Sequence, residues 1–187
     1  GAKLLPVVKN RTNEEIKFLY EFGFSEFGEN RLTDFNLHKS YYKDVDYHFI
    51  APIQSRKLKE IVKNFKCIHT ISRHKEIDIL EKLDINCNYF IQVNIDNDPN
   101  KSGVTKDEVF NFYEYCIDKK ISPAGLMTIP DLNSEPITAF SKMQRINEKL
   151  KIDYGYKGEL SMGMSNDYEV ALDYGATIVR IGTKLFT

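Results

Sequence analysis

The chain has 187 residues, of which 42% are hydrophobic and 28% are charged, a composition typical of one globular domain with a sizeable core. The net charge is −1 and the acidic and basic residues are interspersed, which argues against nucleic acid or an anionic membrane as a partner. No apolar run approaches the ~18 residues of a membrane span, no signal peptide is visible, and the three cysteines lack metal-type spacing, so we expect a cytoplasmic protein without a metal.

Short apolar runs alternate with helical patterns along the whole chain, with a repeat of about 20–25 residues. The predicted strands lie at 4–9, 25–30, 47–53, 67–72, 89–95 and within 121–130, and the last two lie within 160–186. The helical patterns start at Asn13, Ser55, His74, Thr105 and Pro136, with a less regular one around Leu32 and a last one opened by a capping box of Asn166 and Glu169.

This alternation predicts a parallel sheet, and eight strand–helix units favour a closed (β/α)₈ barrel, a TIM barrel. A doubly wound open sheet is the alternative, but no GxGxxG follows the first strand. We expect one domain over residues 1–187. The sequence stops directly after the eighth strand, so the helix expected before strand one is apparently missing. The seam between strands eight and one is then covered by another chain or by a helix before Gly1.

Ligands of such barrels bind at the carboxyl ends of the strands. Small and hydroxyl residues are densest after the last two strands, where Gly163 and Ser165 follow one strand and Gly182 and Thr183 follow the other. Backbone N–H and hydroxyl donors of this kind suit a phosphate. The sequence therefore predicts an anion site at this end of the barrel.

Lys9 ends the first strand and has the same inward parity as Leu5 and Val7. A lysine in a barrel mouth loses hydration, which favours a neutral and nucleophilic amine. The alternative is a lysine that extends from a strand end into water. With a phosphate site opposite, we favour a Schiff base with a phosphorylated aldehyde.

Arg180 lies inside the last strand, and its parity opposes that of Val179 and Ile181. If those two residues face the helices, Arg180 faces the barrel interior. One hypothesis is an ion pair with Glu29 or another inward carboxylate. The other is a hydrogen bond to the ring nitrogen of a ligand, which a permanently charged guanidinium keeps unprotonated. His48, inside a strand, is predicted to be a core residue with satisfied hydrogen bonds.

Several stretches occur in an order that resembles one known family. VVK near the start is followed by FGEN, HFIAPIQSRKLKEI, LSMGMSNDYEVAL and VRIGTKLF. From about Leu4 to Phe186 the sequence is similar to the pyridoxal phosphate homeostasis proteins. That family resembles the barrel domain of alanine racemase without the second domain.

The resemblance implies roles for individual residues. Lys9 would hold pyridoxal 5′-phosphate as an internal aldimine, Asn30 would lie beside the ring, and Arg180 would face the pyridine nitrogen. The phosphate would be held by Ser165, Gly182 and Thr183, with Ser161 as a further candidate.

The resemblance, taken with these residues, leaves three possible functions. The favoured one is a monomeric carrier that acts in intracellular pyridoxal phosphate homeostasis, with pyridoxal phosphate-dependent apoenzymes as candidate recipients and little or no catalysis. An arginine at the ring nitrogen weakens the ring as an electron sink, and no second domain supplies the tyrosine base of a racemase. The alternative is a small racemase or lyase that uses Lys9 as its base. The third is a scaffold with a vestigial lysine site.

Overall fold

A computed structural model of the chain describes residues 1–39 and 41–187. Its strands are β1 Lys3–Pro6, β2 Glu26–Glu29, β3 Asp46–Phe49, β4 Cys67–Ile71, β5 Asn88–Asn94, β6 Val104–Thr105, β7 Gly125–Met127, β8 Glu159–Ser161 and β9 Ile178–Ile181. Its helices are α1 Asn13–Phe22, α2 Leu32–His38, α3 Leu58–Asn64, α4 His74–Glu81, α5 Val109–Asp118, α6 Pro136–Tyr154 and α7 Tyr168–Asp173.

Parallel pairing closes the strands into a barrel. Within the described residues the neighbours run β1-β9-β8-β7-β5-β4-β3-β2, and β6 pairs only with β5. The two ends of this series meet where Val7 bridges Gly28, and the Val8 N–H donates to the Gly28 carbonyl at 3.0 Å. The predicted eight-stranded barrel is thus confirmed, and the open sheet is excluded.

The alternation of side chains along the strands creates two apolar layers. The outer layer packs strands against helices and includes Val179 and Ile181. The inner layer fills the barrel with Leu5, Cys67, Phe90, Met127 and Ile178. The predicted parity of β9 is confirmed, since Ile178 and Arg180 face inward.

Local signals set the ends of the two best-predicted helices. Thr12 caps α1 through a capping box with Glu15, and Gly23 at φ 114° ends the helix in the left-handed conformation that glycine tolerates. Pro136 opens α6 at its first turn, and Gly155 at φ 65° closes it.

Two predicted helix starts are wrong. Thr105 does not open α5, because Val104 and Thr105 pair with Val93 and Asn94 as β6, and the helix begins only at Val109. Asn166 does not cap α7. Asp167 occupies the cap position and its Oδ1 accepts the Met164 N–H at 2.7 Å, so this side chain closes the loop before the helix.

The outer face of β1 is partly open to solvent. No helix precedes β1 among the described residues, and Leu4 on that face is 36% exposed. None of the described helices combines the length and the apolar character needed to cross a bilayer.

Candidate functional site

A cavity of about 700 Å³ opens where β1, β8 and β9 end, a volume suited to a small molecule. Five of the seven site residues predicted from the sequence, with Ser161 counted among them, line it. They are Lys9, Ser165, Arg180, Gly182 and Thr183. The barrel thus brings together residues from the two extremes of the chain.

The cavity is cationic. Lys9, Arg11, Arg180 and Lys184 line it, and its lining within the described residues includes no Asp or Glu side chain. The charged side chains that an entering anion meets are therefore all positive.

Lys9 lies at the rim, past the end of β1, and its side chain is exposed. The expected loss of hydration is not seen, because the barrel wall ends at the bridge of Val7 before the lysine is reached. The backbone turns sharply at Asn10, which has a φ of 57°. Arg11 then stacks on the Phe186 ring with 4.3 Å to its centroid, which attaches this loop to the segment after β9.

The loops after β8 and β9 are joined at the far side of the cavity. Ser165 Oγ accepts the backbone N–H of Lys184 at 3.3 Å, in the 3₁₀ turn Thr183–Leu185. A Cβ added at Gly182 would meet only Val7, at 3.5 Å, an ordinary contact. Packing within the chain therefore does not require glycine at 182, and the backbone there is open to the cavity.

Arg180 forms part of the inner wall and is 3% exposed. Nη1 donates to Ser161 Oγ at 2.5 Å and Nη2 donates to the Thr128 carbonyl at 3.0 Å. Burial lowers the pKa of Arg180 to about 10, which leaves the guanidinium charged at neutral pH.

The alternative hypothesis for Arg180, an ion pair with Glu29 or another inward carboxylate, is wrong. Glu29 has the parity of Phe27, which packs in the outer layer, so its carboxylate lies on the other side of the barrel wall. It accepts the Asn30 N–H at 2.8 Å. Among the described residues no carboxylate lies within 4 Å of the Arg180 guanidinium.

Two predicted residues lie away from the cavity lining. Asn30 follows β2 and lines a smaller neighbouring cavity of about 270 Å³ with Gln54 and Lys57. Ser161 is fully buried, where it contacts Arg180 from the barrel interior.

Polar groups inside the barrel include a contact that the sequence analysis missed. His48 is buried with both ring nitrogens in hydrogen bonds, as predicted for a satisfied core residue, but one partner is His69 at 2.9 Å and the other is Glu26 at 3.1 Å. His69 in turn contacts Ser161 at 2.8 Å. The two histidines are separated by one strand–helix repeat and therefore lie on neighbouring strands, which is the signal that could have paired them.

The sequence resembles characterised proteins over its whole length. The family profile of the alanine racemase N-terminal domain matches residues 1–187. A pyridoxal phosphate homeostasis protein of Aquifex aeolicus is 35% identical over 196 residues, which cover 99% of this chain and 86% of the relative. One from Schizosaccharomyces pombe is 34% identical over 195 residues, which cover 98% and 82%.

Solved structures share the barrel. PipY of Synechococcus elongatus without PLP has a TM-score of 0.90 at 27% identity, covering 100% of this chain and 93% of PipY. PipY with PLP bound has a TM-score of 0.80 at 24% identity, covering 100% and 92%. Alanine racemase of Corynebacterium glutamicum shares the fold, with a TM-score of 0.76 at 16% identity over 97% of this chain and 54% of the racemase. By the full-length profile match and the identity to its relatives, this chain belongs to the pyridoxal phosphate homeostasis protein family, built on the alanine racemase N-terminal barrel.

Proposed function

We propose that this chain binds pyridoxal 5′-phosphate through Lys9 and carries it in intracellular cofactor homeostasis, with little or no catalysis of its own and with pyridoxal phosphate-dependent apoenzymes as recipients. One observation carries the proposal. The cationic cavity gathers an amine, hydroxyl and glycine donors and a buried arginine at one barrel mouth. The names of the relatives and the PLP-bound structure of PipY support it.

The cavity residues fit the two ends of this cofactor. Ser165, Gly182 and Thr183 lie together where a phosphate would be held, and the open space at Gly182 admits it close to the backbone. The Lys9 amine lies at the rim, where it can condense with an aldehyde and release water. Pyridoxal phosphate, when bound, supplies that aldehyde and a ring that can withdraw electrons.

Arg180 supports carriage over catalysis. Ser161 and Thr128 hold its guanidinium by hydrogen bonds. Because it stays charged, it would donate to the ring nitrogen of the bound cofactor and would keep that nitrogen unprotonated. An unprotonated ring withdraws electrons weakly.

Asn30 completes the proposed site beside the ring. It follows β2, which adjoins β1 at the Val7–Gly28 bridge, and it lines the smaller neighbouring cavity. Its Oδ1 is buried without a hydrogen-bond partner among the described residues. That oxygen is therefore available to a bound group.

The covalent attachment is tested by borohydride reduction of reconstituted protein followed by peptide mass mapping. We expect a pyridoxyl label on Lys9. The Lys9→Arg variant keeps the charge but cannot form the bond, so it should remain unlabelled. The Lys184→Ala variant, which removes the other lysine of the cavity, should still be labelled at position 9. A label on Lys184 in the wild type, or an unlabelled and colourless wild type, would overturn the proposal.

A further inference from the structure

A continuous series of hydrogen bonds crosses the barrel interior. It starts at the amino-terminal end of β2 with Glu26 and ends at Arg180 in the cavity wall. The successive contacts measure 3.1 Å from Glu26 to His48, 2.9 Å to His69, 2.8 Å to Ser161 and 2.5 Å to Arg180. His69 and Ser161 are fully buried.

Both ends of the series are consistent with one direction for its protons. Arginine can only donate, so Ser161 Oγ accepts from Arg180, and its own O–H is available to donate to His69 Nδ1. A carboxylate can only accept, so His48 Nε2 carries the proton that faces Glu26. The His48–His69 contact then has His69 Nε2 as donor and His48 Nδ1 as acceptor. Two neutral imidazoles, each protonated on Nε2, satisfy every contact.

The surroundings favour this charge state. Burial lowers the pKa of His48, and burial together with His48 and Arg180 lowers the pKa of His69 well below its usual range. Burial alone would raise the pKa of Glu26, but hydrogen bonds from Lys3 and His48 outweigh it and lower that pKa to about 2. The series therefore runs from a cation through two neutral rings to an anion.

We infer that Glu26, His48, His69 and Ser161 are positioning residues that hold Arg180 in the cavity wall through a directional hydrogen-bond chain, whose carboxylate end also pairs with Lys3 at 2.6 Å and Lys66 at 3.4 Å. Hydrogen bonds in series polarise one another, which strengthens each of them. The inference rests on the proposed function, because Arg180 lines the cavity that we assign to the cofactor. The inference states that Glu26, at one end of the barrel, influences the position of Arg180 in the ligand site at the other end.

A metal site explains the same residues less well. The side chains of His48, Cys67 and His69 lie within 4.8 Å of one another. The two imidazole nitrogens that face each other share a proton in a hydrogen bond, so they do not both offer a lone pair to an ion.

The test uses ¹⁵N NMR of the histidine rings in cofactor-free protein at pH 7. In the wild type we expect His48 and His69 to be neutral, with Nδ1 unprotonated in both. In Glu26→Gln the amide can accept from His48 or donate to it, so the direction is no longer fixed, and the ring signals of both His48 and His69 should change. The matched variant Glu159→Gln removes a carboxylate at the amino-terminal end of β8, one that pairs with Lys157 at 3.9 Å, and should leave both rings unchanged.

Pyridoxal phosphate titration supplies the second readout. Glu26→Gln should weaken affinity about tenfold, as loss of the hydrogen-bond partner of a ligating side chain does at metal sites, and Glu159→Gln should stay close to wild type. A proton on Nδ1 of either ring in the wild type, or an effect of Glu26→Gln confined to His48, contradicts the proposed series of hydrogen bonds. Equal affinities in the two variants contradict its link to the cofactor. Absence of binding in the wild type contradicts the proposed function alone, since the ring signals are read without cofactor.

Discussion

Burial of a guanidinium costs free energy, and Arg180 is buried without a carboxylate within 4 Å among the described residues. Its hydrogen bonds go to a hydroxyl and a backbone carbonyl. A buried, charge-perturbed group in a cavity wall is typical of a functional site. Among single residues, Arg180 therefore gives the strongest evidence for a ligand site.

Glu29 is a second buried charge, on the opposite side of the barrel wall. It is 0% exposed, its Oε1 accepts the N–H groups of Asn30 and Arg31, and its Oε2 has no hydrogen-bond partner among the described residues. His38 Nδ1 approaches Oε2 at 3.9 Å. Burial raises the pKa of Glu29 to about 7, with the two backbone N–H groups opposing and Asp34 adding to the rise.

This pKa predicts a pH-dependent stability. Because the folded state holds the Glu29 proton more tightly than the unfolded state, the stabilisation is complete below about pH 4.5 and is lost as pH rises through about 7. Glu29→Gln mimics the protonated acid, so it should remove this loss and raise the free energy of unfolding at pH 8 by on the order of 2 kcal/mol. Urea unfolding between pH 5 and 8 measures the free energy of unfolding of both proteins. The exposed Glu60→Gln is the control, and parallel pH profiles of wild type and Glu29→Gln would contradict the prediction.

At the scale of elements, the two glycine-containing loops of the site differ in what they require. Gly163, after β8, has a φ of +101°, and a Cβ there would lie 2.7 Å from the Ala171 Cβ and 3.1 Å from the Tyr168 Cα in α7. That glycine lets the chain pass close to the helix. Gly182, after β9, has a φ of −117° and room for a methyl group. Packing therefore does not require its small size, which leaves the backbone open to the cavity.

The two loops therefore predict opposite results for the same substitution. Gly163→Ala should lower the free energy of unfolding by about 1–3 kcal/mol, because of the left-handed φ and the crowded Cβ. Gly182→Ala should leave the stability of the cofactor-free protein near that of wild type but weaken pyridoxal phosphate affinity at least about tenfold, since a methyl group blocks backbone approach. Urea unfolding and cofactor titration of both variants separate the effects. Equal affinity of Gly182→Ala and wild type would remove residue 182 from the site.

For the whole molecule, the question is whether the site binds or turns over its ligand. The ionisable side chains that line the cavity, within the described residues, are Lys9, Arg11, Arg180 and Lys184. Racemisation needs proton donors and acceptors on both faces of the substrate. Transfer of the α-proton therefore distinguishes the proposed carrier from a racemase or lyase.

We therefore expect slow proton exchange at the α-carbon of amino acids. Reconstituted protein incubated with L-amino acids in deuterium oxide should exchange that proton no faster than free pyridoxal phosphate at the same concentration. NMR of the α-proton measures the rate, with Lys9→Arg as the control. Stereospecific exchange with turnover that disappears in Lys9→Arg would instead support the racemase or lyase alternative.

The sequence determined the features that depend on local order. Alternation of apolar runs and helical patterns gave eight strand–helix units, and parity alone placed Arg180 inside the barrel. The position of Lys9, Ser165, Gly182 and Thr183 at strand ends was enough to group them, because all parallel strands of a barrel end at one mouth. Local signals predicted the wrong structure where a residue pairs with a distant segment. Thr105, for example, pairs with β5 and does not start the predicted helix.

Only the tertiary structure decided which side chains share a proton or a charge. Exposure of Lys9, the separation of Glu29 from Arg180 and the contact between His48 and His69 all depend on distances across the barrel wall or its interior. Strand parity gives the side of the sheet on which a residue lies, but strand register and barrel closure fix its height along the barrel. For that reason five residues of the cavity could be predicted from the sequence, whereas the series of hydrogen bonds that ends at Arg180 could not.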